Sequence, residues 1–197
     1  MVDFKTSQTK DNLMRAFAGE SQARNRYTFA AGIAVKQKQH MIADVFLFTA
    51  NQEKEHAEIF YNHLQQLAGE TIFIDGGYPI DLSDDVISLL KSAHHNEYEE
   101  YQDVYQNFSE IAKQEGFLKV AQDFKNIADI EKTHGDRFLE IAALLEKNQL
   151  YVSNVTCRWM CLNCGFIYEG TAVPERCPVC DHDQGYFIRI ELAPYTK

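Results

Sequence analysis

The sequence predicts an all-α four-helix bundle followed by a small domain of strands and loops stapled by a metal. Apolar residues over the first three-quarters of the chain recur at a helical period rather than alternating. Four of the five cysteines then fall within the last 40 residues, as two Cys-x-x-Cys pairs. The character of the chain changes between these regions, from long amphipathic stretches to a segment rich in Cys, Gly, Pro and aromatics. A length of 197 residues accommodates one ordinary domain and a small one, read as 1–148 and 157–197 with a linker at 149–156.

Leu13, Phe17, Glu20, Arg24, Tyr27 and Ala31 mark one face of a first helix over about residues 9–38. Phe46, Thr49, Glu53, His56, Phe60, His63 and Leu67 mark a second, ending near Gly69. Residues 69–83 break the pattern with Gly76, Gly77 and Pro79 and read as a crossover loop; Ser83, before Asp84 and Asp85, is the expected N-cap of the next helix. This third helix carries Val86, Leu90, Ala93, Glu97, Glu100, Val104, Phe108 and Ile111, and Gly116 ends it. The fourth carries Phe117, Val120, Phe124, Ile127, Glu131, His134, Phe138, Ile141 and Leu145. Short links within each pair and a long one between pairs give two antiparallel hairpins joined by a crossover. Beyond the linker, short strands are expected at 165–168 and 186–190; so few residues bury little core, which makes a bound metal the natural staple.

A formal net charge of -10 argues against nucleic-acid and anionic-membrane partners. There is no apolar run of membrane-spanning length, and residues 1–10 lack the apolar core of a signal peptide, so a soluble cytoplasmic protein is expected. In a reducing compartment the clustered cysteines mean metal rather than disulfides.

The anomaly is that every apolar stripe is interrupted by ionisable groups. An unpaired buried carboxylate costs several kcal/mol, and clustering adds repulsion. Glu53 and His56 project from one helical face, Glu131 and His134 repeat that Glu-x-x-His on the fourth helix, Glu20 stands on the first, and Glu97 and Glu100 share the third. The two halves match in spacing, Glu20 preceding Glu53 by 33 residues and Glu97 preceding Glu131 by 34. One Glu from each of two helices plus Glu-x-x-His from each of the others is the ligand pattern of ferritin-like di-iron bundles. Carboxylate oxygens and imidazoles suit iron or manganese. Five ionised glutamates carry five negative charges, which two divalent ions nearly neutralise. Glu55, Glu58, Glu99, Asp129, His40, His94 and His95 lie off the stripes or near helix ends and read as solvated; His63 reads as a hydrogen-bonded residue of the bundle.

Cys161-x-x-Cys164 and Cys177-x-x-Cys180 set four thiolates on two knuckles, a tetrahedral shell for one iron or for structural zinc. Cys157 lies outside the pattern as a free thiol, and His182 is a spare ligand to a shell already complete.

The stretches Ala18-Gly19-Glu20-Ser21-Gln22-Ala23-Arg24, Glu53-Lys54-Glu55-His56-Ala57, Glu97-Tyr98-Glu99-Glu100, Glu131-Lys132-Thr133-His134 and the Cys161–Cys180 knuckles together resemble the rubrerythrins, over essentially the whole chain. The resemblance implies a ferritin-like bundle with two iron ions, a rubredoxin-like tail with one, and reduction of hydrogen peroxide in oxidative-stress defence. It implies Glu20, Glu53, Glu97, Glu100, Glu131 and His134 as ligands of the oxidised pair, with His56 replacing Glu100 on reduction, and Tyr27 and Tyr105 as hydrogen-bond donors around the site. It also implies a homodimer, and re-reduction by an NAD(P)H-dependent reductase or a separate rubredoxin. Asn96 departs from a Gly common in the family. The competing reading is a ferroxidase or iron-storage protein whose tail is a zinc ribbon.

Overall fold

A computed structural model describes residues 2–194; residue 1 and residues 195–197, at the outer ends of the two sequence-defined domains, lie outside the described residues. α1 (Gln8–Lys36) starts at Ser7, whose hydroxyl accepts from Lys10 N, and pairs antiparallel with α2 (His40–His63). An irregular crossover runs to α3 (Val86–Glu99), whose N-cap is Asp85 rather than Ser83: the Asp85 carboxylate accepts from Ser88 N at 2.8 Å, while Ser83 Oγ accepts from Asp85 N. An aspartate next to the first turn satisfies the free amide and adds negative charge at the positive helix end.

The third helix is not one continuous α-helix. A π-helical segment, Glu100–Val104, separates α3 from α4 (Tyr105–Glu115). Such a segment takes up one extra residue, so the inward stripe steps on by one: Tyr105, Ser109 and Ala112 are buried, whereas Val104, Phe108 and Ile111 are only half-buried. Gly116, at φ 93°, ends α4 in the left-handed conformation that spares glycine a Cβ clash. α5 (Leu118–Glu146) packs antiparallel on α3 and α4. On α1 the inward face runs Leu13, Ala16, Glu20, Ala23, Tyr27, Ala30; Arg24 is exposed.

Three strands follow, β1 (Val152–Cys161), β2 (Ile167–Ala172) and β3 (Phe187–Arg189), antiparallel in the order β2-β1-β3. β1 begins inside the stretch read as linker, and its early residues are exposed, which hides them from a burial pattern. The small sheet encloses Trp159, Val173, Phe187, Cys161 and Cys177.

Two apolar clusters fill the bundle. One is built on Leu13, Phe60, Leu67, Phe124 and Ile127; the other on Ala34, Ile42, Phe46, Leu90, Phe138 and Ile141. The second cluster is continued by Leu150, Ile188 and Ala193, so the cysteine domain seats on that end. A close approach is at Gly185, where a Cβ would stand 1.9 Å from the carbonyl oxygen of Lys38 in the α1–α2 turn. Beside it, His40 stacks on Tyr186 at 4.0 Å, so His40 is not the solvated residue expected; His94 is half-buried too, its Nδ1 3.0 Å from Gly135 O. No helix among the described residues is long and apolar enough to cross a membrane.

Candidate metal centres

One carboxylate from each of α1, α2, α3 and α5 meets in a layer between the two apolar clusters. Glu20 from α1, Glu53 from α2, Glu97 from α3 and Glu131 from α5 are sealed from solvent, at most 1% exposed, with His56 and His134 beside them. The donor atoms form two quartets, Glu20/Glu53/His56/Glu131 and Glu53/Glu97/Glu131/His134, each within 4.8 Å. Glu53 and Glu131 belong to both. The two imidazoles stack at 5.7 Å. His56 Nδ1 lies 2.9 Å from Glu131 Oε1 and 3.0 Å from Glu53 Oε2; His134 Nδ1 lies 2.8 Å from Glu131 Oε2 and 3.0 Å from Glu53 Oε1.

These separations are short, yet most are not aligned as hydrogen bonds. Glu20 Oε2, Glu53 Oε1, Glu97 Oε2, both Glu131 oxygens and both His134 nitrogens find no hydrogen-bond partner among the described residues. Buried polar atoms are ordinarily satisfied. Unpartnered donor atoms gathered within 4.8 Å of one another are what a bound cation at each quartet requires, and the mixed carboxylate–imidazole donor set fits iron.

As ionisable groups alone, the residues divide the protons unevenly. Burial, then the charge on Glu53, pushes Glu97 up to about 8. Burial opposes the charged form of Glu53, but the positive His134 close beside it and the hydrogen bond with His56 hold it at about 2. His56 is lowered by burial yet raised on balance to about 10 by Glu131 and Glu53. Glu20 and Glu100 are both pushed well up, first by burial and then by neighbouring carboxylates.

Tyr105 Oη donates to Glu20 Oε1 at 2.6 Å, and Tyr27 Oη donates to Glu97 Oε1. Burial raises both phenols well above the ordinary range, so they stay protonated donors. Glu100 stands apart: it is half-buried on the π-helical segment and joins neither quartet. His63 Nε2 pairs with Asp123 Oδ2 at 2.7 Å, and Glu55, Glu58, Glu99, Asp129 and His95 face solvent. A network that the sequence did not reveal lies one residue from Tyr27 and Glu97: Asp81 of the crossover accepts from Arg26 and, at 2.7 Å, from Asn96 Nδ2. The buried Asn96, out of place on an apolar stripe, was its one visible signal.

In the small domain the four thiols converge, with Cys161 Sγ 3.8 Å from Cys180 Sγ and Cys164 Sγ 3.6 Å from Cys177 Sγ. A tetrahedron with metal–sulfur bonds of about 2.3 Å has edges of about 3.8 Å. The knuckles are built alike. Gly165 N donates to Cys161 O and Asp181 N to Cys177 O, both residues adopting positive φ. Burial pushes Cys161 up to about 12, while the backbone N–H of His182 brings Cys180 down to about 6. Cys157 and His182 stay outside the quartet.

The Rubrerythrin family model matches residues 11–142, and that of the rubrerythrin rubredoxin-like domain matches 159–188. The chain belongs to the rubrerythrin family. It is 42% identical to rubrerythrin of Clostridium perfringens, over 95% of this chain and 96% of that one. Rubrerythrin of Nitratidesulfovibrio vulgaris is 37% identical over equal shares. Among solved structures, mixed-valence nigerythrin superposes with a TM-score of 0.62 at 26% identity, covering 96% of this chain and 91% of that one. As in the rubrerythrin family, the ferritin-like bundle offers a carboxylate–histidine di-iron site and the tail a rubredoxin-like four-cysteine iron site, and the protein is an oxidoreductase.

Proposed function

We propose that the protein reduces hydrogen peroxide to water. The observation that carries this reading is one chain with two donor quartets sharing Glu53 and Glu131, together with a separate four-thiolate site. Two ferrous ions held by the quartets would supply the two electrons that, with two protons, turn peroxide into two waters, and an iron held by Cys161, Cys164, Cys177 and Cys180 would be a one-electron carrier suited to restoring them. Glu20, Glu53, Glu97, Glu131 and His134 are the proposed ligands throughout, with His56 and Glu100 as alternatives for one position; His56 is inside its quartet here and Glu100 outside. Tyr105 and Tyr27 orient Glu20 and Glu97 and keep a proton at Oη beside the site. The flanking apolar clusters exclude bulk water.

In this reading the bundle, 1–148, is the catalytic domain, 149–156 the linker and 157–197 the electron-supplying domain, with Cys161, Cys164, Cys177 and Cys180 holding its iron. The external donor is an NAD(P)H-dependent reductase or a rubredoxin, and the protein works as a cytoplasmic homodimer in oxidative-stress defence.

Stopped-flow oxidation of the dithionite-reduced protein tests the reading. Peroxide is expected to oxidise it far faster than air does, and comparable rates would refute it. Glu100→Ala is expected to retain iron and slow peroxide turnover roughly a hundredfold, the scale of losing one positioned group. A red ferric tetrathiolate colour separates this reading from a colourless zinc ribbon.

A further inference from the structure

A cavity of about 400 Å³ opens beside the carboxylate layer. Its wall includes Glu100, Tyr105, Gly19, Asn96 and Phe108, and its outer side is the crossover stretch Gly76–Pro79. It therefore joins solvent to two of the proposed site residues from the side on which Glu100 sits.

Gly19 and Tyr78 define its narrow part. A Cβ on Gly19 would lie 3.7 Å from Tyr78 Cε1 and 4.0 Å from Glu100 Oε1. The missing side chain thus leaves a gap of one methyl group between the ring and the carboxylate. Glycine in the middle of α1 costs roughly 1 kcal/mol relative to alanine, and both contacts an alanine would make are ordinary ones, so helix packing gives no reason for it. The Tyr78 ring is fixed over the gap: Oη donates to Arg15 O at 3.1 Å, and Gly76 lets it lie close, since a Cβ there would stand 3.0 Å from Oη. The crossover itself is strapped across α1 at both ends, by Arg15 on Asp75 and by Arg26 on Asp81.

We propose that this cavity is the access route for peroxide and that Tyr78, over the Gly19 gap, restricts it to hydrogen peroxide against bulkier alkyl hydroperoxides. This rests on the peroxidase reading. A methylene of excess bulk in a fitted site changes rate by roughly tenfold or more, so a ring at van der Waals distance from the gap suffices for discrimination.

The test compares hydrogen peroxide with tert-butyl hydroperoxide as oxidants of the reduced holoprotein. Tyr78→Ala is expected to speed the alkyl substrate roughly tenfold relative to hydrogen peroxide, and Tyr78→Phe, which keeps the ring, to preserve the wild-type ratio. Gly19→Ala is expected to slow both oxidants with iron content unchanged and Tm equal or higher, a combination that damage to the fold does not produce. A wild type inert to hydrogen peroxide would overturn the peroxidase reading and this inference together. A reactive wild type whose substrate ratio is unmoved by Tyr78→Ala would overturn this inference alone.

Discussion

At the scale of single residues, the buried carboxylates and imidazoles make stability depend on pH once metal is removed. Glu97 moves from its ordinary 4.5 to about 8 on folding, and His56 from 6.5 to about 10. Both folded values lie above the unfolded ones, so the native chain binds the extra protons. The stabilisation from Glu97 is full below pH 4.5 and lost as pH rises through 8; that from His56 is full below 6.5 and lost through 10. Glu53 acts oppositely, its contribution full above the ordinary 4.5 and lost as pH falls toward about 2. The chelated protein should therefore melt at progressively lower temperature from about pH 5 to 9, and iron should abolish that slope because ligation takes the carboxylates ionised. Calorimetry at a series of pH values checks this; a flat or rising Tm for the chelated protein would contradict the burial of these groups. That Glu53 shares a face with His56, and Glu131 with His134, was legible from three-residue spacing alone. The positions of Tyr78 and Asp81 were not, because a crossover without periodicity gives no register from which to place its side chains; Gly19 sits on α1, but the gap it leaves matters only through the Tyr78 ring above it.

At the scale of elements, the π-helical segment is where helical extrapolation goes astray. Glu97 and Tyr105 are eight residues apart, about 80° from a common face on a regular α-helix. The extra residue in Glu100–Val104 brings the effective separation to seven, close to two full turns, so both face the carboxylate layer. The same single residue separates the two halves' spacings of 33 and 34, but a sequence period cannot say where in the helix it is absorbed. Deleting the exposed Gln102 should restore an α-helical turn without disturbing Glu97 upstream or Tyr105 downstream. Circular dichroism and Tm should stay near wild type, while Glu100 is re-aimed and peroxide turnover falls. Collapse of the fold on this deletion would show that the segment supports packing rather than Glu100.

At the scale of the whole molecule, two units of unequal self-sufficiency share one chain. The bundle has two apolar clusters, whereas the cysteine domain has little beyond Trp159, Val173, Phe187 and its own thiols. A core so small needs its metal. Trp159 is the one tryptophan of the sequence, fully buried, its Nε1 donating to Gly170 O at 3.0 Å. Replacing Cys161 by Ala should shift tryptophan emission to the red while the far-ultraviolet helical signal persists; unshifted emission would mean that the small domain holds without its metal. The sequence made the contrast between the units plain through composition, but not their contact, which depends on the bare backbone of Gly185 against Lys38 O. Only a hydrogen atom fits in that seam. A heavier substituent there forces the seam to give, and in the proposed peroxidase that would change the spacing between the two iron sites without touching a single ligand.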